Sequence, residues 1–312
     1  MTILPFIKGF TWRMVFSPHQ TFAGEEAKES LRTLQKSTGI DTIILAFEAR
    51  QETAHSEEID YTGKFTPTDD EVTAMIQYAQ SLELRVVLKP MLNCNDGTWR
   101  GFINFFDLDV PCEPKWSHWF ANYTEYITHF AKVAEKTNCE MLIVGCEMVM
   151  TDRKESYWRD LIADVRDVYH GLLTYNCDKY QETEVKWWDA VDVISSSGYY
   201  PIKNWDENLD RIEGVLAQHD KPFFFAECGC PCVEGSADIP NDWTHKGKLS
   251  LEEQRHYYEV MFERCSARSW IRGFACWDWT TVYLYEPAPV VNAGYGVYGK
   301  PAADVIKDFY TQ

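Results

Sequence analysis

Eight short apolar runs alternate with helical patterns along these 312 residues, and that alternation limits the possible folds more than any other feature. The runs fall at 7–12, 41–47, 85–92, 141–146, 172–176, 191–197, 222–226 and 271–277. They are rich in β-branched and aromatic residues and too continuous for strands with one wet face, so they read as strands buried on both faces. Between them, 25–36 carries Ala27, Leu31 and Leu34 on one helical stripe, and 115–136 carries Trp119, Tyr123, Ile127, Phe130 and Ala134 on another. Further helices are predicted through Leu82, over 157–170, over 205–218 and to about Cys265, with a brief helical turn at 186–190. Thr68 with Glu71, and Ser250 with Glu253, have the spacing of capping boxes. Pro301 suits the first turn of a last helix that ends near Tyr310. Strand–helix alternation predicts a parallel sheet, and eight units predict its closure, so the expected fold is α/β, a single (β/α)8 TIM barrel over 1–312. Connection lengths agree. Helix-to-strand links are short, at 39–40, 82–84 and 219–221, while strand-to-helix links are long, at 49–65, 93–113, 228–248 and 280–299. The elaboration therefore lies at the strand C-terminal ends, where barrel enzymes keep their sites. An open doubly wound sheet would call for a glycine-rich phosphate motif, and the chain has none.

The net charge of −18, without a Lys/Arg cluster, argues against nucleic acid and anionic membranes as partners. No stretch approaches a membrane span, and the start, MTILPFIKG, lacks a basic segment, a long apolar segment and a cleavage site, so a cytoplasmic protein is expected. Ten cysteines show no secreted-scaffold spacing and read as free thiols of a reducing compartment. Seven of them (94, 146, 177, 228, 230, 232 and 276) fall near the predicted barrel top, which raises a zinc site as a rival reading, but CxCxC alone is not a zinc signature. The abundance of aromatic residues, with 12 Trp, 17 Tyr and 17 Phe, suits a cleft that stacks on sugar rings as well as a core.

Two of the apolar runs end on a lone carboxylate: MLIVGCEM at 141–148 on Glu147, and PFFFAECG at 222–229 on Glu227. In a barrel both reach the same face, from strands four and seven. Cleaving a glycosidic bond needs a carboxylic acid to protonate the leaving oxygen, and a second carboxylate to attack the anomeric carbon or activate water there. The acid needs a raised pKa and the nucleophile must stay ionised. Tyr199 or Tyr200, in SSSGYYP, could donate to one carboxylate, and Trp277 could form the floor beneath a sugar. Strand alternation turns Trp277 and Trp279 to the same side. A non-catalytic sugar-binding module is disfavoured because both carboxylates are present. An aldolase or isomerase is disfavoured because strands seven and eight offer neither a Lys nor a phosphate site.

The chain resembles glycoside hydrolase family 113, retaining β-mannanases of the large (β/α)8 glycosidase clan. The resemblance runs from GFTW at 9–12 to YGKPA at 298–302, through LKP at 88–90, TWRG at 98–101, WFANY at 119–123, LTYN at 173–176, GYYP at 198–201 and AECG at 226–229. It implies Glu147 as general acid/base and Glu227 as nucleophile, with the two carboxyls about 5–5.5 Å apart. It also implies that Lys89, Asn176, one of Tyr199 and Tyr200, and Trp277 line the subsite of the cleaved sugar, with Trp99 and Arg100 farther along the cleft. The implied reaction is retaining hydrolysis of β-1,4-mannosidic bonds, without metal or cofactor. Three positions depart from the pattern: Cys146 stands where the clan usually has Asn, Met91 follows LKP, and Cys228-Gly-Cys-Pro-Cys232 begins directly after the nucleophile. A cytoplasmic enzyme meets oligosaccharides rather than polymer, so imported β-1,4-manno-oligosaccharides are the expected substrate. Xylo- or gluco-configured substrates, and exo action, are the alternatives.

Overall fold

The computed structural model describes residues 4–14, 21–281 and 292–312. Eight strands close into a barrel in chain order: β1 (Ile7–Arg13), β2 (Thr42–Gln51), β3 (Arg85–Cys94), β4 (Met141–Cys146), β5 (Leu172–Cys177), β6 (Val193–Gly198), β7 (Phe223–Cys228) and β8 (Ile271–Thr280). Every neighbouring pair is parallel, and β8 returns to β1 with Ile7 opposite Gly273. Seven helices surround it among the described residues: α1 (Glu25–Thr38), α2 (Asp69–Ser81), α3 (Trp116–Lys136), α4 (Glu155–Arg166), α5 (Trp205–Leu216), α6 (Leu251–Ser266) and α7 (Pro301–Thr311). The expected (β/α)8 barrel is therefore the observed fold.

Helix termini follow local chemistry. Thr68 and Glu71 make the full reciprocal capping box at the start of α2. At α6 only half of the expected box forms. Ser250 accepts from the Glu253 backbone, but Glu253 turns its carboxylate to the amides of Gly235 and Ala237 and so ties down the β7–α6 loop. The helix expected over 157–170 starts earlier, at Glu155, and ends at Arg166.

Two layers of core result. Between strands and helices lies a large aromatic-rich cluster that includes Phe47, Trp158, Tyr175, Phe225 and Phe274. Inside the barrel a smaller aliphatic plug forms from Ile7, Ile44, Val87, Ile143, Phe224 and Ala275, among others. Above the plug sit Ala46, Met91 and Cys146, with Trp277 packed on them. This upper layer is the floor of the open end.

Three strands lose simple alternation there. Ile143 and Cys146 on β4 oppose Thr174 and Asn176. Phe225 and Glu227 on β7 oppose the adjacent pair Ser196 and Ser197. Cys276 and Trp279 on β8 oppose Phe10 and Trp12. Each stretch holds one more residue than its partner, which is a bulge that re-aims the following side chains. The bulge on β8 overturns the expectation that Trp277 and Trp279 face the same side. Trp277 looks into the open end, whereas Trp279 is fully buried, donates its indole N–H to Ser30 and packs on Phe10 and Tyr298. The Trp277–Asp278 peptide is cis.

Long strand-to-helix links crowd the open end, as the connection lengths predict. Of the link expected over 280–299, positions 282–291 lie outside the described residues. No described helix is long and apolar enough to cross a membrane.

Candidate active site

A cavity of about 770 Å³ opens at the C-terminal ends of the strands. Glu147 and Glu227 both line it, with Trp99, Arg100, Tyr199 and Trp277. Both carboxylates are nearly buried, at 9% and 4% exposure, so their ionisation is decided by immediate neighbours.

Glu227 follows the bulge of β7. The Lys89 ammonium, on β3, donates to its Oε1 at 2.5 Å, and the Tyr199 hydroxyl donates to Oε2 at 2.9 Å. The Cys146 thiol lies 3.4 Å from Oε1. Burial works to raise this carboxyl, but Lys89, Arg100 and Tyr199 together outweigh it and hold it below the ordinary value. Lys89 is itself fully buried. Desolvation opposes its charge, yet the surrounding acidic groups raise its pKa and keep it an ammonium.

Glu147 takes the opposite state. It sits one residue past β4 with a left-handed backbone, φ 53°, and its N–H donates to the Asn176 carbonyl at 2.8 Å. The Ser197 hydroxyl donates to its Oε1 at 2.8 Å, and Arg100 approaches Oε2 at 3.3 Å. Burial first, then the charges of Glu227 and Asp178, push its pKa up to about 7 against the pull of Arg100 and Ser197. One carboxyl of the pair is thus set up to be ionised and the other to hold a proton near neutrality, as an acid and a nucleophile require.

A continuous hydrogen-bonded chain joins the two. Lys89 Nζ donates to Asn176 Oδ1 at 2.7 Å as well as to Glu227. Asn176 Nδ2 donates to Ser197 Oγ at 3.0 Å, and Ser197 donates to Glu147. Arg100 is held by the Leu92 carbonyl at 2.9 Å and by Asn93 Oδ1, also at 2.9 Å. The Trp277 ring lies beside two cations, with Lys89 at 5.7 Å and Arg13 at 5.6 Å from its centroid.

A family model for Glycoside Hydrolase Family 113 matches residues 10–300. The chain belongs to this family. It is a glycoside hydrolase. Among solved structures, a GH113 beta-1,4-mannanase in complex form is 55% identical, with a TM-score of 0.96 over 99% of this chain and 100% of that one. The GH113 beta-mannanase AaManA from Alicyclobacillus acidocaldarius, in complex with ManMIm, is 41% identical, with a TM-score of 0.93 over 99% and 98%. Beta-glucuronidase from Ruminococcus gnavus, at 15% identity and a TM-score of 0.68 over 98% of this chain and 50% of that one, shares the fold. No curated protein matches the chain.

Against this family background, the site residues inferred from the sequence sort themselves by place. Glu147, Glu227, Trp99, Arg100, Tyr199 and Trp277 all line the cavity. Lys89 and Asn176 lie directly beneath it, fully buried and bonded into the chain just described. Tyr200 is the exception. Its ring turns the other way, fully buried, and its hydroxyl donates to Glu182 at 2.7 Å beside Arg211. Consecutive residues after β6 project to opposite sides, so Tyr199 alone of the two can reach the carboxylates. Ser197 escaped the sequence reading, although SSSGYYP was in view, because three consecutive serines carry no signal for which one faces inward. Asp178 and Trp243, both on the cavity wall, were also missed, since each lies in a loop with no periodic pattern.

The seven thiols do not gather at one point: Cys228 and Cys276 adjoin across β7 and β8, while others turn to backbone carbonyls. Cys230 points to the Pro231 carbonyl and Cys232 to the Ser250 carbonyl. Among the described residues no three His, Cys, Asp or Glu side chains gather as a metal site.

Proposed function

We propose that this family 113 enzyme hydrolyses β-1,4-mannosidic bonds of manno-oligosaccharides with retention of configuration, using Glu227 as nucleophile and Glu147 as acid/base. The observation that carries the reading is the divergence of the two carboxyls within one cavity: one held ionised by Lys89 and Tyr199, the other held protonated to about pH 7. In the first step Glu227 forms a bond to the anomeric carbon while the glycosidic bond breaks, and the Glu147 proton passes to the departing oxygen. In the second, Glu147 takes a proton from water, whose oxygen displaces Glu227 and restores the carboxylate. The mannanase names of the 55% and 41% identical structures support the sugar. Lys89, Asn176, Tyr199 and Trp277 would hold the cleaved sugar, with Trp99 and Arg100 beside them, and the whole of 1–312 would act as one catalytic unit.

The cytosol is the proposed compartment, with imported oligosaccharides as substrate. Support comes from ten unpaired cysteines, nine of them buried.

Incubation with mannohexaose, xylohexaose and cellohexaose tests the sugar. Cleavage of mannohexaose alone is expected, with the β-anomer as first product by NMR. Glu227→Ala should abolish turnover, with partial rescue by azide at the vacated face of the sugar. Near-native rates in both Glu227→Ala and Glu147→Ala would refute the assignment.

A further inference from the structure

One carboxylate on the cavity wall has no part in the reaction just described. Asp178 follows β5, is 7% exposed and lines the cavity. Its carboxylate takes hydrogen bonds from Lys179, through the backbone N–H and the ammonium. The nearest cation, Lys179, stands 3.5 Å away, and that ammonium is shared with the Tyr180 ring at 5.9 Å from its centroid. Burial drives the Asp178 carboxyl above its ordinary value despite Lys179. A carboxylate on the cavity wall whose hydrogen bonds all come from one adjacent residue keeps lone pairs for a ligand that enters the cavity.

Its position indicates which ligand. The Glu147 N–H bonds to the carbonyl of Asn176 on β5, so Asp178, two residues on, lies on the β5 side of Glu147. Asp178 is also close enough for its charge to act on Glu147. Trp277 and Glu227 lie on β8 and β7. A sugar attacked by Glu227 over Trp277 leaves its departing partner next to Glu147, because Glu147 must touch the oxygen between them. The remaining space beside Glu147 on the β5 side is where Asp178 projects.

We propose that Asp178 accepts a hydrogen bond from a hydroxyl of the leaving sugar and so selects substrates whose aglycone is itself a pyranose. This rests on Glu147 being the acid. A leaving alcohol without further hydroxyls has none to offer, and the contact is lost with it.

The test compares two substrates in wild type, Asp178→Ala and Asp178→Asn: mannotetraose, and cyclohexyl β-mannobioside, whose leaving alcohol needs the Glu147 proton as a sugar does but carries no further hydroxyl. The readout is the ratio of the two kcat/KM values, which is independent of how much of a variant is correctly folded. In Asp178→Ala the ratio of oligosaccharide to cyclohexyl glycoside should fall about 10- to 100-fold, the range for a lost hydrogen bond to a charged group. Asp178→Asn, which keeps a neutral acceptor, should fall in between. A ratio unchanged within about threefold, however large the common loss, overturns the proposal, because a role in structure or in the Glu147 pKa lowers both rates together. If wild type cleaves the cello- or xylo-configured pair and not the manno-configured one, the sugar assignment fails, and the Asp178 ratio is read on the pair that is cleaved.

Discussion

Replacing Lys89 with Met removes the cation that touches Glu227 Oε1 and leaves a buried carboxylate with Tyr199 as its main donor. The Glu227 pKa must then rise, because burial, which already pushes it upward, loses its chief opponent. The acidic limb of kcat/KM should move to higher pH, and kcat at neutral pH should drop by about 10²-fold or more, as for other preorganised donors. A pH–rate profile of Lys89→Met checks both. Ser197→Ala acts on the other limb. Its hydroxyl lowers the Glu147 pKa, so its removal should move the alkaline limb upward from about 7, the value at which Glu147 loses its proton. Glu147 also costs the fold something. A carboxyl raised from 4.5 to about 7 binds its proton more tightly in the folded state. The stability it contributes is therefore complete below its unfolded value and is lost as pH climbs through about 7. Glu147→Gln should match wild type near pH 4 and exceed it by roughly 2–3 kcal/mol at pH 8, measured by urea denaturation. A variant no more stable than wild type at pH 8 would contradict the burial argument.

At the level of strands and helices, the sequence was most legible where periodicity holds and least where it breaks. Apolar runs, a helical stripe such as Ala27, Leu31 and Leu34, and short lower links were enough to predict the barrel. The bulges on β4, β7 and β8 were invisible, since one extra residue in a strand leaves no compositional trace. They sit just where Glu147, Glu227 and Trp277 emerge, so pattern reading found these residues and still misjudged the direction of Trp279. Glu147 and Glu227 were legible for another reason: a lone carboxylate closing an apolar run stands out, whereas Ser197 among serines and Asp178 in a loop do not. On β4 the bulge depends on a small residue. A Cβ on Gly145 would come within 2.8 Å of the Trp158 ring and 3.0 Å of Tyr175, and both rings are fully buried. Gly145→Ala should therefore destabilise by about 1–3 kcal/mol through overpacking, seen as a lower melting temperature. It should also lower kcat, because the turn that aims Glu147 begins one residue later.

Considered whole, the molecule is a ring closed at one seam. β1 meets β8 there, and α7 covers the joint, with the Tyr310 hydroxyl 2.9 Å from the Gly9 carbonyl on one strand and 3.3 Å from the Phe274 carbonyl on the other. Tyr310→Phe should cost about 1–2 kcal/mol, since it strands buried acceptors. Removing 301–312 should abolish cooperative unfolding altogether, because it strips the α7 cover from both seam strands; circular dichroism on heating distinguishes the two cases. The two rims of the ring differ. The lower one is joined by links of a few residues, such as that from Thr38 to Thr42, while the upper one carries every long connection. Mutational tolerance should be divided along the same axis. Loop exchange among relatives at the upper rim could redraw product length and preferred glycan without touching the helix packing that keeps the ring shut, so this scaffold offers separate handles for redesign and for hardening.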